Sequence, residues 1–425
     1  MKSEWDVVII GGGLAGYVAA NYLAKSGMSI LLIEKDKKVG GRARTDAIGQ
    51  ELFNLGPHAL YTKGNAVPIL QELGIELNGK SPNLSGLLTD KMLEYTAPFT
   101  PVGVLTTRFL NWKERIEWLM VLWKIKSMNI ENLSDQTFQQ WTQKMTRSKN
   151  VQDLLLILGR LATYCHAPEK VSANVIVSHL RMVMNGVLYI DRGWQTIIDQ
   201  LHNKAVIFGV QIQSDMKINE INKIENTFKV SLSTEEELTC KYVLSTISPQ
   251  ELLKIVGNNI SQTQLDFLKQ IIPVKGAALD VALTKLPKPN RLFAMEIGEA
   301  FYYSVHSTAA ILSENENNIL QHLFKYLHTE YKIVGKEIQN ELEQFLEKIQ
   351  PCWQKHKISS RFMPTITVNQ RLPQIGDEQN LQRSKLGVPG LYLAGDWVSS
   401  HSILSEGAIS SAKQAAEEII EKEQR

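Results

Sequence analysis

The residues best suited to chemistry lie at the start of the chain. An apolar run, Asp6-Val7-Val8-Ile9-Ile10, leads into Gly11-Gly12-Gly13-Leu14-Ala15-Gly16. Gly11 permits a tight turn, Gly13 lets backbone approach a pyrophosphate, and Gly16 lets the following helix pack closely on the strand. A pyrophosphate would sit on the unsatisfied amides at the helix start, which puts Leu14 and Ala15 in the binding loop. The helix should run to about Ser26 and stop at Gly27. A second apolar run, Ser29 to Ile33, then ends on Glu34 and Lys35. The Glu34 carboxylate can accept hydrogen bonds from ribose hydroxyls and would repel a 2′-phosphate. Strand, loop, helix and acid at this spacing make a dinucleotide site, and the loop alone leaves the kind of dinucleotide open.

The elements that must position this loop can be read along the chain. Ala66–Leu73 reads as a helix and Leu84–Tyr95 as mixed strand and turn. From about Asn111 to Val183 the pattern is helical, with starts at Asn111, Ser134, Ser148 and Ser172, each a good N-cap residue. Short strands are expected at Ala205–Phe208, Phe228–Leu232 and Tyr242–Thr246, then near Ala277–Leu283 and Phe301–His306. Long helices are expected near Asn317–His328 and Lys336–Ile349, a last strand at Gly390–Ala394 and a last helix from about Gly407 to Glu421. This alternation argues α/β architecture with a partly parallel sheet.

Composition excludes several classes. The 425 residues carry 46 Lys plus Arg against 44 Asp plus Glu, a balance that gives no sign of nucleic-acid binding. Cys165, Cys240 and Cys352 lie far apart without metal-ligand spacing, so no metal site is expected and buried thiols in a reducing, cytoplasmic setting are. The start does not read as a secretory signal, and no segment offers the roughly 20 apolar residues of a membrane-spanning helix. One helix stands apart: Trp112, Ile116, Trp118, Leu119, Met120, Val121, Leu122, Trp123 and Ile125, flanked by Lys113, Arg115, Lys124 and Lys126. The expectation is a helix buried in the core or lining a channel, although its tryptophans and lysines also fit a helix lying in a membrane interface.

Gly40-Gly41-Arg42-Ala43-Arg44-Thr45, together with the glycine loop and Glu34, resembles the FAD-binding signature of the flavin amine oxidase and phytoene (carotene) desaturase superfamily. Further segments match in the order that family uses. Asn54-Leu55-Gly56-Pro57-His58 resembles the segment that passes the flavin ring, and Asp191-Arg192-Gly193-Trp194 the turn returning the chain to the FAD domain. Met216–Ile221 resembles the strand whose backbone near Ile218 meets the adenine edge. Leu391-Tyr392-Leu393-Ala394-Gly395-Asp396-Trp397, followed by Glu406-Gly407-Ala408, is similar to the closing motif. The resemblance implies noncovalent FAD, with Arg42 a cation near the pyrophosphate, Asp396 an acceptor for a ribitol hydroxyl, and amides around Gly407 and Ala408 facing the pyrimidine end. It departs at Ser411, where many relatives have glycine.

The implied architecture is a discontinuous Rossmann-type FAD-binding domain (residues 1–75, 187–252 and 373–425) with an inserted substrate domain, helical over 76–186 and α+β over 253–372. The implied activity is oxidoreduction by hydride transfer, in which the flavin carries the chemistry. Leu404 stands where amine oxidases of the family usually place an aromatic residue, and Lys275 falls just before the strand on which many of them hold a lysine. A bulky apolar, isoprenoid-like substrate is therefore expected, with oxygen or a quinone as electron acceptor. Oxidation of an amine or a porphyrinogen is the alternative, and an FAD-binding protein without turnover a third. No side chain declares itself as acid or base; His58 and His401 are the weak candidates. Peripheral membrane contact and a homodimer stay open.

Overall fold

A computed structural model describes residues 4–56, 59–332, 334–377, 381 and 387–424. Val7 and Ile9 of the first strand, Glu4–Ile10, face one hydrophobic cluster, and Val8 and Ile10 face another. A strand covered on both faces needs no polar residue, which is why it reads as an unbroken apolar run. Its sheet runs Gln211–Gln213, Ile30–Ile33, Glu4–Ile10, Glu237–Ser245, Thr227–Leu232, Ile218–Ile224 in space. The first four strands are parallel. Thr227–Leu232 pairs with the first half of Glu237–Ser245, and the last strand, Leu391–Leu393, runs parallel to its second half. Helices Leu14–Lys25, Gln195–Ile207 and Leu404–Glu423 supply the cover on one face.

A second sheet has the order Lys357–Asn369, Val274–Leu283, Ile319–Tyr326, Phe301–Val305, Phe293–Glu296, Leu87–Asp90, Leu93–Thr96. Its far face packs on the helix Gly335–Ile349 through Leu323, Tyr303 and Leu342. Its near face shares a large core with helices Trp112–Ser127, Phe138–Met145, Lys149–Thr163 and Ala173–Met184. Near-face residues also include a buried ion pair: Asp280 accepts from Arg361 Nη2 at 2.6 Å and contacts His322 Nδ1 at 2.6 Å. Arg361 further donates to the carbonyls of Phe53 and Asn54, which staples this sheet to the hairpin Thr45–Asn54.

The structure corrects several elements. Asn317–His328 is not a helix: Ile319–Tyr326 is a central strand of the second sheet. Leu320, Leu323, Phe324 and Leu327 recur at helical spacing, but the strand is buried on both faces, so its apolar positions need not alternate. Ala205–Phe208 is the end of the helix Gln195–Ile207 rather than a strand, and Gly209 with φ +84° turns the chain there. Thr137, not Ser134, caps the helix Phe138–Met145, in a capping box with Gln140. The helix Trp112–Ser127 buries only one face; Trp112 and Trp123 are exposed. Cys165 and Cys240 are buried as expected, whereas Cys352 is exposed.

Asp280 is almost inaccessible, so removing it would leave the Arg361 guanidinium short of a charge in the core. Asp280→Ala should destabilise the protein by about 3–5 kcal/mol, read as a drop in the urea or thermal midpoint. Lys149→Ala, which breaks the exposed Lys149–Asp153 pair, should cost less than about 1 kcal/mol. Equal costs would show that the Asp280 cluster is not a structural staple.

Candidate functional site

A cavity of about 1090 Å³ opens along the carboxyl ends of the parallel strands. That exceeds the roughly 300–1,000 Å³ typical of small-molecule pockets. Gly11, Gly13, Leu14, Ala15, Glu34, Lys35, Gly41, Arg42, Ile218, Gly395, Asp396 and Ala408 all line it. Glu34 and Asp396 follow strands separated by three inter-strand steps, or about 14 Å. Such a span needs an extended ligand.

The glycine loop is shaped by exclusion. A Cβ on Gly16 would lie 2.0 Å from the Gly11 carbonyl oxygen, so only glycine lets the helix start this close to the strand. Gly11 itself sits at φ +105°, with Thr246 Oγ1 only 2.6 Å from where its Cβ would be. At Gly13, by contrast, nothing lies within 4 Å of that position, so the backbone is open. Gly13 is the N-cap of Leu14–Lys25 with no side-chain cap, and the first turn carries no acid. The helix therefore offers its free amides and positive end without competition, as an anionic ligand requires.

Two carboxylates remain partly unused. Glu34 accepts from the amides of Gly12 (2.7 Å) and Asp36 (2.9 Å), one on each oxygen. A carboxylate has about four lone-pair sites, so two remain for ribose hydroxyls. Asp396 takes a two-pronged contact from Arg42, with Nη2 2.8 Å from Oδ1 and Nη1 on Oδ2, and a third bond from the Gln370 amide at 2.9 Å. One site remains, on Oδ1, enough for a single ribitol hydroxyl. Arg42 also donates to the Val368 carbonyl; its fork is committed to Asp396, while its side chain keeps 38% exposure toward the cavity. Lys35 pairs with Glu251.

The remaining expected residues are placed as follows. Gly56 packs so tightly that a Cβ would meet the Arg42 carbonyl at 2.7 Å. Pro57 and His58 lie outside the described residues. His401 is exposed and does not line the cavity, because the turn closed by Ser399 Oγ and Ser402 holds it outward. The last helix begins at Leu404, three residues early, and the Gly407 amide already donates to Ile403. The free amides at its start are thus those of Ser405 and Glu406; Gly407 serves instead to let the helix approach the backbone of Asp396 and Ser402. Glu406 is buried and caps a different helix, accepting from the amides of Asn65 and Ala66. Burial nonetheless pushes its carboxyl above the usual range, against those two bonds.

Several positioning residues were not foreseen. Thr246 Oγ1 donates toward the Ile10 and Gly11 carbonyls and fixes the first turn. Ser411 Oγ accepts from the Gly395 amide at 2.9 Å and donates to the Gly407 carbonyl at 2.6 Å, so this departure from glycine ties the last helix to the Asp396 loop. Asn369 Oδ1 accepts from the Leu404 amide at 2.8 Å and holds Leu404 at φ +58°, a conformation that non-glycine residues avoid. Lys275 lies on the strand Val274–Leu283, not before it, and lines the cavity.

Over residues 14–290 and 307–420 the chain matches the family described as flavin containing amine oxidoreductase. The chain belongs to this family. A UDP-galactopyranose mutase from Mycoplasma pneumoniae is 33% identical over 100 residues, which span 23% of this chain and only 25% of the mutase. A 15-cis-phytoene desaturase from an Oncidium hybrid cultivar is 23% identical over 99% of this chain and 78% of its own. Cyclohexylamine oxidase from Brevibacterium oxydans IH-35A shares the fold, with TM-score 0.76 at 15% identity over 99% of this chain and 100% of that one. The cofactor is FAD, and the donor set fits it: free amides for a pyrophosphate, two free acceptor sites on Glu34, and one on Asp396. None of the cysteines lines the cavity.

His179 reports on the integrity of this site. It is fully buried, bonded to the Val175 carbonyl through Nδ1 and accepting the Ile403 amide at Nε2, beside the Tyr61 ring. Burial lowers its pKa to about 4 from 6.5, against the bond to the Val175 carbonyl. Between those values the unfolded chain binds a proton that the folded one refuses, so stability present above pH 6.5 is lost as pH falls toward 4. His179→Gln should be less stable at pH 8 but show a shallower decline of thermal midpoint across that window. An unchanged slope would show that His179 does not titrate this way.

Proposed function

We propose that the protein is an FAD-dependent oxidoreductase that dehydrogenates a bulky apolar, isoprenoid-like substrate. The carrying observation is Leu404: a buried aliphatic side chain, pinned in a left-handed turn, where amine oxidases of the family usually carry an aromatic residue. Ile366 and Val368 line the cavity with it. Among the described lining residues the acids Glu34, Asp36 and Glu251 lie along the nucleotide side, and Asp396 is paired with Arg42, so none of these four stands beside Leu404 as an unpaired partner for an ammonium group. The near full-length match to a desaturase supports the same reading.

Bound FAD would supply a two-electron acceptor for a hydride from a substrate C–H bond, with the accompanying proton released to solvent and oxygen or a quinone as the terminal oxidant. The chain's own residues bind and orient. Free amides at Leu14 and Ala15 hold the pyrophosphate, Glu34 and Asp396 fix the two sugar portions, and Leu404 and Ile366 exclude water from the apolar part. An amine substrate is favoured by one observation, Lys275 on its strand in the cavity wall, since many amine oxidases hold a lysine on the corresponding strand.

Anaerobic mixing of the FAD-loaded protein with polyenes, primary amines and a porphyrinogen separates the readings. Bleaching of the flavin absorbance by a polyene and not by amines is expected. Bleaching by an amine and by no polyene would replace this proposal with the amine reading. No bleaching by any of them would favour a binding protein without turnover.

A further inference from the structure

The helix Trp112–Ser127 is apolar on two opposite faces, and the core uses only one. Trp118, Val121 and Ile125 are buried, and the Trp118 indole N–H donates to the Pro98 carbonyl at 2.9 Å. On the outer face Trp112, Ile116, Leu119, Met120 and Trp123 are each 51–69% exposed. At 3.6 residues per turn these five fall within an arc of about 100°. The preceding helix, Pro101–Thr106, adds Val102 and Leu105, exposed by 69% and 63%. Arg115 binds the two helices into one surface: it donates to the carbonyls of Leu105, Thr107 and Leu110, and its guanidinium lies 4.5 Å over the Trp112 ring. Single exposed apolar residues are ordinary, but a fixed group of seven marks an interaction site.

The charges around this face are sorted. Lys113 and Lys124 flank one side of the stripe and Lys126 the other, all exposed. The two acids of the helix turn away from it. Glu114 accepts from Ser148 Oγ at 2.7 Å and from the Asn111 amide, and Glu117 accepts from Thr146 Oγ1. An apolar stripe with a basic rim and no outward acid is complementary to a layer that is anionic above and hydrocarbon below.

We propose that this face docks peripherally onto an anionic lipid bilayer, with the Trp112 and Trp123 indoles at headgroup depth. A second copy of the chain fits less well. A two-fold contact through this face would set the basic rim against itself with no acid to answer it. Among the described residues no helix is long and apolar enough to cross a membrane, so attachment lies in the interface. The inference does not rest on the identity of the substrate.

Sedimentation of the full-length, FAD-loaded protein with vesicles tests this. The protein should pellet with vesicles containing about one-third phosphatidylglycerol, pellet far less with phosphatidylcholine alone, and be partly released by salt. The double variant Trp112→Ser/Trp123→Ser should bind at least tenfold more weakly while keeping its flavin spectrum, since both side chains stand in solvent. Lys113→Gln/Lys124→Gln/Lys126→Gln should remove the preference for anionic lipid. Failure of the wild type to bind either vesicle overturns the proposal. So does concentration-dependent self-association of the wild type that the tryptophan variant abolishes, which would make a second copy the occupant.

Discussion

The contact between Arg42 and Asp396 is the one on which the rest of the site depends. Asp396 is 2% exposed, and a carboxylate that far from water must be neutralised and hydrogen-bonded. The partner lies 354 positions earlier in the chain, in the loop after the second parallel strand. Ordering so long a loop carries a chain-entropy cost that one ion pair does not offset. The pair therefore forms only because both sheets are already assembled. Val368 and Gln370, at the end of the outermost strand of the second sheet, complete it. Three distant segments meet at one carboxylate, and the cavity is the space they enclose.

Around that point the backbone is held by buried polar side chains rather than by regular secondary structure. Ser411 fixes Gly395, Asn369 fixes Leu404, His179 accepts the Ile403 amide, and Glu406 caps the helix Ala66–Glu72. Each is almost fully buried. A left-handed leucine persists only where its surroundings over-determine it. The arrangement fits a site that must present a fixed surface to an extended cofactor.

Much of the site was legible because its signals are local. The glycine spacing and Glu34 make a strand, loop, helix and acid unit readable within about thirty residues, whereas Gly395–Asp396 was legible only as a resemblance to a family's closing motif. That Arg42 and Asp396 touch was not legible, since nothing in either segment names the other. Lys275 was misplaced because apolar pattern alone starts its strand three residues late, and His401 was a candidate by its place in the loop between Asp396 and Glu406. Ile319–Tyr326 was misread for a physical reason: burial on both faces removed the alternation that distinguishes a strand, and chance spacing imitated a helix. The tryptophan-rich helix shows the converse, since an apolar composition did not say which of its faces the core would take.

On the proposed reading, one FAD binds in the cavity where the two ends of the chain meet at Asp396. Heat release of the cofactor from purified protein, with identification by mass, tests it most directly when wild type and Asp396→Asn are compared. One FAD per wild-type chain is expected, with at least tenfold weaker retention in a variant that is still folded by circular dichroism. A nicotinamide dinucleotide in its place, or FAD retained equally by both proteins, would contradict it.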